Sequence, residues 1–443
     1  MALPRFDGHL NQSFHCPLGN GLAETRDFDA RYFPQRVLVP GRLDWSYTVD
    51  GVGNPTQIVD GLSAASDRTY GYQDYQYFLT SAAGPWGPSG TSLQWTYDKI
   101  GDRLTEAQPG EPLPFNYSYL GTTPKLTRIQ PRPHGSGSGT LTFSYDAAGN
   151  ETSVLSAGLE GSGQTTTFTY SFEDKLSHLS FSSGPAATDF LYDGRGFLRD
   201  ALRTYGNSTD FEHTEPIYGS EGLLYSRRWR RQSTYGTPQD NAPAPTLTAD
   251  ETAYVFYFAG RPVAELIPGG AGLLYLTTDH LGTPALATDP TGATIWQGGF
   301  TPFGAPYQLL PSSLFLRLPG QWDDTAWGGA RVFYNVNRWI DPASSRYATV
   351  DQVGMGFGIA PTPYLYAAAG PTKNTDPLGL FVLDKNCSDP AAQGGIPGIF
   401  RVDPHELQAG IDDMCSRIKA PGGLCYQISR RRCRHNRRTG HHI

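Results

Sequence analysis

Three charged side chains near the end of the chain have the types and spacing that acid–base chemistry needs. Arg338 is followed by Asp341, and a second aspartate, Asp351, stands ten residues after Asp341. Two carboxyl groups brought together in a closed interior cannot both ionise cheaply, so one keeps a proton and acts as an acid while the other acts as a base toward water. Such a pair can hydrolyse a peptide bond without a metal. The alternative is structural: Asp341-Pro342 begins a turn, Asp351 caps another turn, and Arg338 forms an ion pair with one of them.

A repeat earlier in the chain predicts the elements that position these residues. Its unit reads aromatic-x-Tyr-Asp-x-x-Gly-x-x-Leu, with clear copies around Tyr97, Tyr145 and Tyr192. Between Tyr97 and Tyr218 the successive tyrosines lie 22, 26, 25, 22 and 26 residues apart. Alternating apolar residues predict strands, and Asp-x-x-Gly predicts the turn that joins them. Stacked hairpins of this kind bury a continuous aromatic face, which explains the tyrosines better than a sugar-binding ladder does.

Composition favours the same architecture. The 443 residues include 52 Gly, 35 Pro, 25 Tyr and 22 Phe, with 17% charged residues, which suits short strands joined by turns. The first 380 residues carry a net charge of -11 and the remainder carries +4, which indicates two parts with different roles. Only Cys16 precedes residue 381, so the body is not a disulfide scaffold. No apolar run reaches the roughly 20 residues of a membrane span, and the first residues lack the features of a secretory signal.

Several motifs near the end of the body resemble the core domain that closes Rhs (YD-repeat) proteins and the toxin-carrying subunits of bacterial toxin complexes. The matching residues are Arg338, Asp341, Pro342, Arg346, Tyr347, Asp351, Gly354, Tyr364 to Ala367 and Asp376 to Leu380. A block from Tyr275 to Gly304, which contains the sequence DHLG, and the segment Leu316 to Asp324 are also similar to that family. Two positions depart from its pattern, because Ser345 replaces a glycine and Gln352 a proline. Since glycine usually supplies a positive φ, we expect a slightly different turn at Ser345.

The resemblance implies an all-β fold in which the repeat hairpins form a sheet that winds into a hollow shell or solenoid. A core plug would close this shell, and a small α+β or disordered tail would follow. The expected divisions are an N-terminal capping segment (1–40), the repeat array (41–270), the core with plug and autoprotease (271–380) and a variable cargo or toxin tail (381–443).

The resemblance also implies a function, namely enclosure of a C-terminal effector peptide and its release by a single self-cleavage. Arg338, Asp341 and Asp351 would be the catalytic groups, and the bond between Leu380 and Phe381 would be cut. Asp376, Pro377 and Gly379 belong to the motif that marks this cut. The alternatives are a repeat-built surface or adhesion protein without catalysis, in which the aspartates are structural, and a degenerate orphan copy.

The tail and one histidine offer further candidate sites. Asp403, Pro404 and Glu406 predict the start of a helix. The spacing of the tail cysteines lacks the short pairs typical of zinc sites, so disulfides or free thiols explain them as well as a metal does. They are Cys387, Cys415, Cys425 and Cys433, with His435, His441 and His442 nearby. His280 is interpreted as a packed structural residue rather than a base or ligand.

The expected partners follow from these assignments. The tail itself would be the cargo, and a second shell or delivery subunit would complete the assembly. The arginines between Arg430 and Arg438 could bind nucleic acid phosphates or simply be solvated. We predict no cofactor and no resident metal. The protein would be made in a bacterial cytoplasm and delivered by a secretion or toxin-complex apparatus without a cleavable signal.

Overall fold

A computed structural model of the chain describes residues 12–87, 91–130, 139–157, 163–184, 186–206, 210–233, 246–307, 314–327, 332–351, 363–380 and 383–384. These residues form an all-β protein, as the sequence predicts. The first twelve strands of its large sheet are β1 Gln12–Pro17, β2 Ala23–Phe28, β3 Pro34–Val39, β4 Leu43–Val49, β5 Pro55–Asp60, β6 Arg68–Tyr72, β7 Leu79–Ala83, β8 Ser92–Tyr97, β9 Arg103–Ala107, β10 Phe115–Tyr119, β11 Leu126–Gln130 and β12 Thr140–Tyr145. The next twelve are β13 Glu151–Ala157, β14 Gln164–Tyr170, β15 Leu176–Phe181, β16 Ala186–Tyr192, β17 Leu198–Tyr205, β18 Phe211–Tyr218, β19 Leu224–Ser233, β20 Thr246–Phe258, β21 Arg261–Ile267, β22 Gly272–Thr278, β23 Pro284–Thr288 and β24 Thr294–Gln297.

The large sheet is an up-and-down meander. In the described residues, each strand from β1 to β23 pairs antiparallel with the next strand along the chain, and β24 ends the sheet. It includes strands from the predicted capping segment and continues past residue 270. Five short strands follow, in two small sheets: β25 Phe333–Asn335, β26 Arg338–Asp341 and β27 Arg346–Tyr347 in one, and β28 Asn374–Thr375 and β29 Leu383–Asp384 in the other. Among the described residues, single 3₁₀ turns lie at Ala64–Ser66 and Thr325–Trp327, and a turn with positive φ angles lies at Ala367–Ala369.

The repeated Asp-x-x-Gly sequence makes the turns, as its pattern predicts. Between β12 and β13 the Gly149 amide donates to the Asp146 carbonyl at 3.2 Å, and the Asn150 amide donates to the Asp146 carboxylate at 2.8 Å. Gly149 has a φ of 95°, a conformation that costs glycine nothing and costs other residues free energy. The same contact joins Gly101 to Asp98 and Gly196 to Asp193, so one aspartate and one glycine shape the turn in each of the three clear repeat copies.

The repeat tyrosines hold successive hairpins together. The hydroxyls of Tyr119 and Tyr192 donate to the carbonyls of Arg103 and Leu176 at 2.8 Å, and each acceptor begins the second strand of the preceding hairpin. Burial raises the pKa of both tyrosines, so they remain neutral donors. These tyrosines therefore belong to the packed core, which agrees with the structural interpretation of the repeat.

The sheet curls so that its first strands contact its last strands. The Arg26 guanidinium on β2 donates to the Thr278 carbonyl on β22 at 2.7 Å. Phe14 on β1 stacks on Phe258 on β20, with ring centroids 5.7 Å apart. Since these pairs are separated by more than 240 residues of sequence, the strip of sheet must turn back on itself.

The plug, which we define as residues 298–380, packs against the curled sheet. Trp339 packs on Phe190 with ring centroids 4.8 Å apart, and the Trp322 indole donates to the Tyr218 hydroxyl at 2.6 Å. Aromatic contacts of this kind contribute about 0.5–1.5 kcal/mol each beyond the area that they bury. The turn ends of the hairpins also touch the plug: the Arg346 guanidinium lies 2.7 Å from the Asp102 carboxylate. The sheet and the plug thus share one core.

Candidate functional site

The segment Asp376-Pro377-Leu378-Gly379-Leu380 forms a tight turn in the plug. The Gly379 amide donates to the Asp376 carbonyl at 3.2 Å, and the Leu380 amide donates to Oδ1 of the Asp376 carboxylate at 2.9 Å. Before this turn β28 pairs antiparallel with β29, Asn374 with Asp384 and Thr375 with Leu383. The peptide bond after Leu380 therefore lies in the connection between two paired strands.

A second turn, residues 335–338, forms hydrogen bonds to the carbonyl oxygens of this segment. We call this second turn the clamp. It joins β25 to β26. The side-chain nitrogen Nδ2 of Asn335 donates to the Asp376 carbonyl at 3.0 Å, and Nδ2 of Asn337 donates to the Leu378 carbonyl at 3.0 Å. The Arg338 Nε donates to the Gly379 carbonyl. Three side chains of one turn thus hold three carbonyls just before Leu380.

The clamp has an unusual backbone conformation. Val336 has a φ of 53° and is fully buried. A β-branched residue in this region costs of order 1–3 kcal/mol and persists only where its surroundings enforce it. Here the Tyr334 hydroxyl donates to the Val336 carbonyl and also accepts the Leu198 amide of β17 at 2.8 Å. The sheet therefore helps to maintain the strained turn.

Arg338 joins two carboxylates. Its Nη2 lies 2.9 Å from Oδ2 of Asp376 and 3.1 Å from Oδ2 of Asp351. Because these two distances add to 6.0 Å, the carboxylate oxygens are no further apart than that. The Arg338 Nη1 also donates to the Pro363 carbonyl at 3.1 Å, and the guanidinium carbon lies 3.6 Å from the centroid of the Tyr347 ring. A buried guanidinium between two acids offsets much of their mutual repulsion.

The two carboxylates differ in their access to water. The Asp376 side chain is 1% exposed, whereas that of Asp351 is 13% exposed. Oδ2 of Asp376 also accepts the Tyr347 hydroxyl at 2.8 Å. Burial and the negative charge of Asp376 raise the pKa of Tyr347 well above its usual value, so it remains a neutral donor. Asp376 is thus held by donors on both oxygens, and Asp351 is the carboxylate that solvent reaches more readily.

Asp341 lies at the end of β26 and contacts the turn that follows it. Arg338 and Asp341 stand three residues apart on β26, so their side chains leave opposite faces of the strand. Oδ1 of Asp341 accepts the Ala343 amide at 2.9 Å, as in the turn that the structural alternative describes. The structure therefore joins Asp351 to Asp376 through Arg338, where the sequence paired it with Asp341. The predicted catalytic role of Asp341 stays a prediction.

The expectation of a different turn at Ser345 is wrong. Ser345 itself takes a φ of 60°, the conformation that glycine would supply. Its hydroxyl accepts a hydrogen bond from the Arg103 guanidinium at 2.6 Å, and the residue is buried. This contact with the sheet compensates for the cost of a left-handed conformation in a residue with a Cβ.

The other predicted candidates lie away from this site or outside the described residues. The His280 Nε2 lies 2.8 Å from the Thr372 carbonyl, and its ring packs edge-on against Tyr47, which supports the structural interpretation. Phe381, the predicted tail helix, the tail cysteines and histidines and the arginines from Arg430 to Arg438 lie outside the described residues. Within the described ranges there is no cluster of three His, Cys, Asp or Glu side chains that could hold a metal. No helix in the described part of the chain is long and apolar enough to cross a membrane.

The sequence pattern predicts site roles for Arg338 and Asp351, and it gives Asp376 only the role of a motif residue. Asp376 stands 25 residues after Asp351, with no local spacing that would pair them. Asn335, Asn337 and Tyr347 were also not assigned to the site. The available signal was the position of Asp376, four residues before the expected cut, where its carboxylate can accept the Leu380 amide.

Comparisons with known proteins identify relatives of the chain. No family model matches the chain. The chain is 37% identical over 409 residues to the toxin protein Tse5 of Pseudomonas aeruginosa, covering 83% of this chain and 28% of Tse5. It is 26% identical over 389 residues to the double-stranded DNA deaminase toxin A of Burkholderia cenocepacia, covering 85% of this chain and 25% of that protein. The chain thus spans about a quarter of the length of these curated relatives.

A solved structure has a similar fold. The chain is similar to the crystal structure of TcdB2-TccC3-Cdc42, with a TM-score of 0.56 and 17% sequence identity. The match covers 84% of this chain and 19% of the matched chain in that structure. This is a likeness of fold alone. Together with the repeat hairpins, the core motifs and the bacterial toxins that share its sequence, it shows that the chain belongs to the Rhs (YD-repeat) family.

Proposed function

We propose that this chain forms part of an Rhs shell that encloses its own C-terminal tail and cuts the tail free after Leu380. The observation that carries the proposal is the double attachment of Asp376. Its Oδ2 shares Arg338 with Asp351, and its Oδ1 accepts the amide of Leu380. A carboxylate pair therefore lies on the peptide segment that would be cut.

The contacts suggest a division of roles. Asp351, the more exposed carboxylate, takes a proton from a water molecule as the water oxygen bonds to the Leu380 carbonyl carbon. The bond from that carbon to the Phe381 nitrogen then breaks, and the proton passes from the carboxylate pair to the leaving nitrogen. The products are a Leu380 carboxylate and a Phe381 ammonium group, which holds both protons of the water molecule. Asp376 holds the Leu380 amide, and Arg338 holds both carboxylates and the Gly379 carbonyl.

Substitution of the three aspartates by asparagine tests these roles. In Asp351→Asn the base is lost, and we expect self-cleavage to slow by about 10² to 10⁴. In Asp376→Asn the charge shared through Arg338 is lost, and a comparable loss is expected. Asp341→Asn preserves an acceptor for the Ala343 amide, so cleavage should continue at the wild-type rate. The assay is intact mass spectrometry of the purified chain over time.

The outcome shows whether Asp376, as the structure indicates, or Asp341, as the sequence predicts, is the partner of Asp351. If Asp341→Asn abolishes cleavage and Asp376→Asn does not, then Asp341 is the partner of Asp351, as the sequence pattern suggested. If the wild-type chain remains intact under all conditions, the alternative of a non-catalytic repeat protein is favoured.

The tail is the proposed cargo and toxic effector. Two relatives are named as toxins, and the chain matches only about a quarter of each. We therefore propose that additional sequence or a partner subunit supplies the rest of the shell wall. A secretion or toxin-complex apparatus would deliver the protein. In the Asp351→Asn form of the assembly with its wall complete, the uncleaved tail should resist added protease while the shell is folded. Rapid trimming of the tail back to residue 380 in that folded assembly would contradict enclosure.

A further inference from the structure

Lys175 links a turn of the sheet to the clamp. It lies at the end of the turn between β14 and β15, and its Nζ is 3.3 Å from both the backbone carbonyl and the side-chain oxygen of Asn337. The Asn337 amide nitrogen in turn donates to the Leu378 carbonyl at 3.0 Å. Two successive hydrogen-bonding contacts therefore connect the shell wall to a residue just before Leu380.

The chemistry of Lys175 fixes the direction of the Asn337 side chain. An asparagine amide has an acceptor end and a donor end, whereas a lysine ammonium group has only donors. Lys175 therefore selects the oxygen of Asn337, which leaves the nitrogen facing the Leu378 carbonyl. Without that cation, either end of the amide could face the carbonyl, and one of the two orientations would place two acceptors together.

We propose that Lys175 is a positioning residue for cleavage after Leu380, so that the cutting geometry forms only when this shell turn is seated on the plug. The inference rests on the proposed self-cleavage and adds a coupling to it. A wall that is not yet folded around the plug leaves the clamp without Lys175. The tail would then be released only after the shell around it has formed.

The charged surroundings of Lys175 make this coupling sensitive to pH. Burial lowers its pKa to about 8, the acidic groups of Glu173 and Asp193 oppose that shift, and the positive charge of Arg338 adds to it. The Tyr192 ring also lies 6.0 Å from the ammonium nitrogen. The cation is therefore present at neutral pH and is lost as the pH rises through about 8, which weakens the contact with Asn337.

Two substitutions of Lys175 and one matched control test the proposal. Lys175→Met should slow cleavage at pH 7 by about 10-fold or more, since a small misplacement of reacting groups can cost about 10²-fold. Lys175→Arg keeps the charge and the donors, so it should retain cleavage and also sustain it above pH 8, where the wild-type rate falls. Lys125 ends another repeat turn, but its Nζ contacts the Asp146 carbonyl within the sheet at 3.3 Å. Lys125→Met should therefore cleave at the wild-type rate.

Hydrogen exchange gives a readout that does not depend on cleavage. In chains that carry Asp351→Asn, adding Lys175→Met should speed amide exchange in residues 376–380, whereas adding Lys125→Met should not. If the wild-type chain does not cleave, the proposed function fails, and the exchange result alone decides the role of Lys175. Wild-type cleavage and unchanged exchange in Lys175→Met, or an equal loss in Lys125→Met, would overturn the inference.

Discussion

Replacement of Glu265 by glutamine should remove a large pH dependence from the stability of the protein. Glu265 lies on β21 and is fully buried, and neither carboxylate oxygen has a hydrogen-bond partner among the described residues. The nearby Arg227 is engaged elsewhere, with its guanidinium 2.8 Å from Asp324 and 3.4 Å from Glu251. Burial raises the pKa of Glu265 to about 8; the charge of Arg227 opposes this shift and that of Glu251 adds to it.

The direction and size of the effect follow from linkage. A carboxyl group whose pKa is higher in the folded state keeps its proton there and loses it on unfolding, so stability falls as the pH rises from the unfolded pKa toward the folded one. With an unfolded pKa of about 4.3, the free energy of unfolding should fall by about 1.4 kcal/mol per pH unit, or roughly 4–5 kcal/mol in all. Above pH 8 the contribution of Glu265 to the free energy of unfolding no longer changes with pH. Glutamine cannot ionise and should abolish this component.

Urea unfolding of the two chains at pH 5, 6, 7 and 8 measures the difference. The stability of Glu265→Gln relative to wild type should increase steadily over this range, by about 3–4 kcal/mol in total. Glu173 is exposed, so Glu173→Gln serves as a matched control and should change stability by less than about 0.5 kcal/mol at every pH. A difference between Glu265→Gln and wild type that is the same at pH 5 and pH 8 would refute the reasoning.

Two further substitutions test the geometry around the cut. Arg338→Lys cannot reach two carboxylates and the Gly379 carbonyl with one planar group. Cleavage followed by mass spectrometry should therefore slow by about 10²-fold or more, and a rate within twofold of wild type would argue against the bridge. Gly379→Ala would place a Cβ 2.5 Å from the Asn335 carbonyl at a φ of 65°. Thermal unfolding should show a loss of about 1–3 kcal/mol together with slower cleavage, and an unchanged melting temperature would contradict the tight approach.

The fold was largely predictable because the repeat is local. In the clear repeat copies a tyrosine, an aspartate and a glycine set a strand end and a turn within a few residues, and the structure forms the predicted hairpins. The curling of the strip was only implied by resemblance, because it depends on contacts such as Arg26 with Thr278 that no local pattern contains.

The candidate site was only partly predictable because its contacts join residues that are far apart in the sequence. Asp341 and Asp351 form a predicted pair because they are close in sequence, whereas the contacts of Arg338 with Asp351 and Asp376 join residues that are far apart in sequence. Asp376 reaches Arg338 only through the clamp, and the clamp depends on a buried valine with positive φ. Propensity alone argues against such a residue in that position. The conformation of Ser345 was also not predictable from local sequence, since it depends on a contact with Arg103 from a distant strand.

The most direct test of the central claim is synthesis of the chain in water enriched in ¹⁸O, followed by mass analysis of its fragments. Hydrolysis by the carboxylate pair predicts an N-terminal fragment that ends at Leu380, with one ¹⁸O atom in its new carboxylate, and a strongly slowed appearance of this fragment from the Asp351→Asn and Asp376→Asn chains. An intact wild-type chain, a cut at another bond, or normal cleavage in both variants would contradict the account.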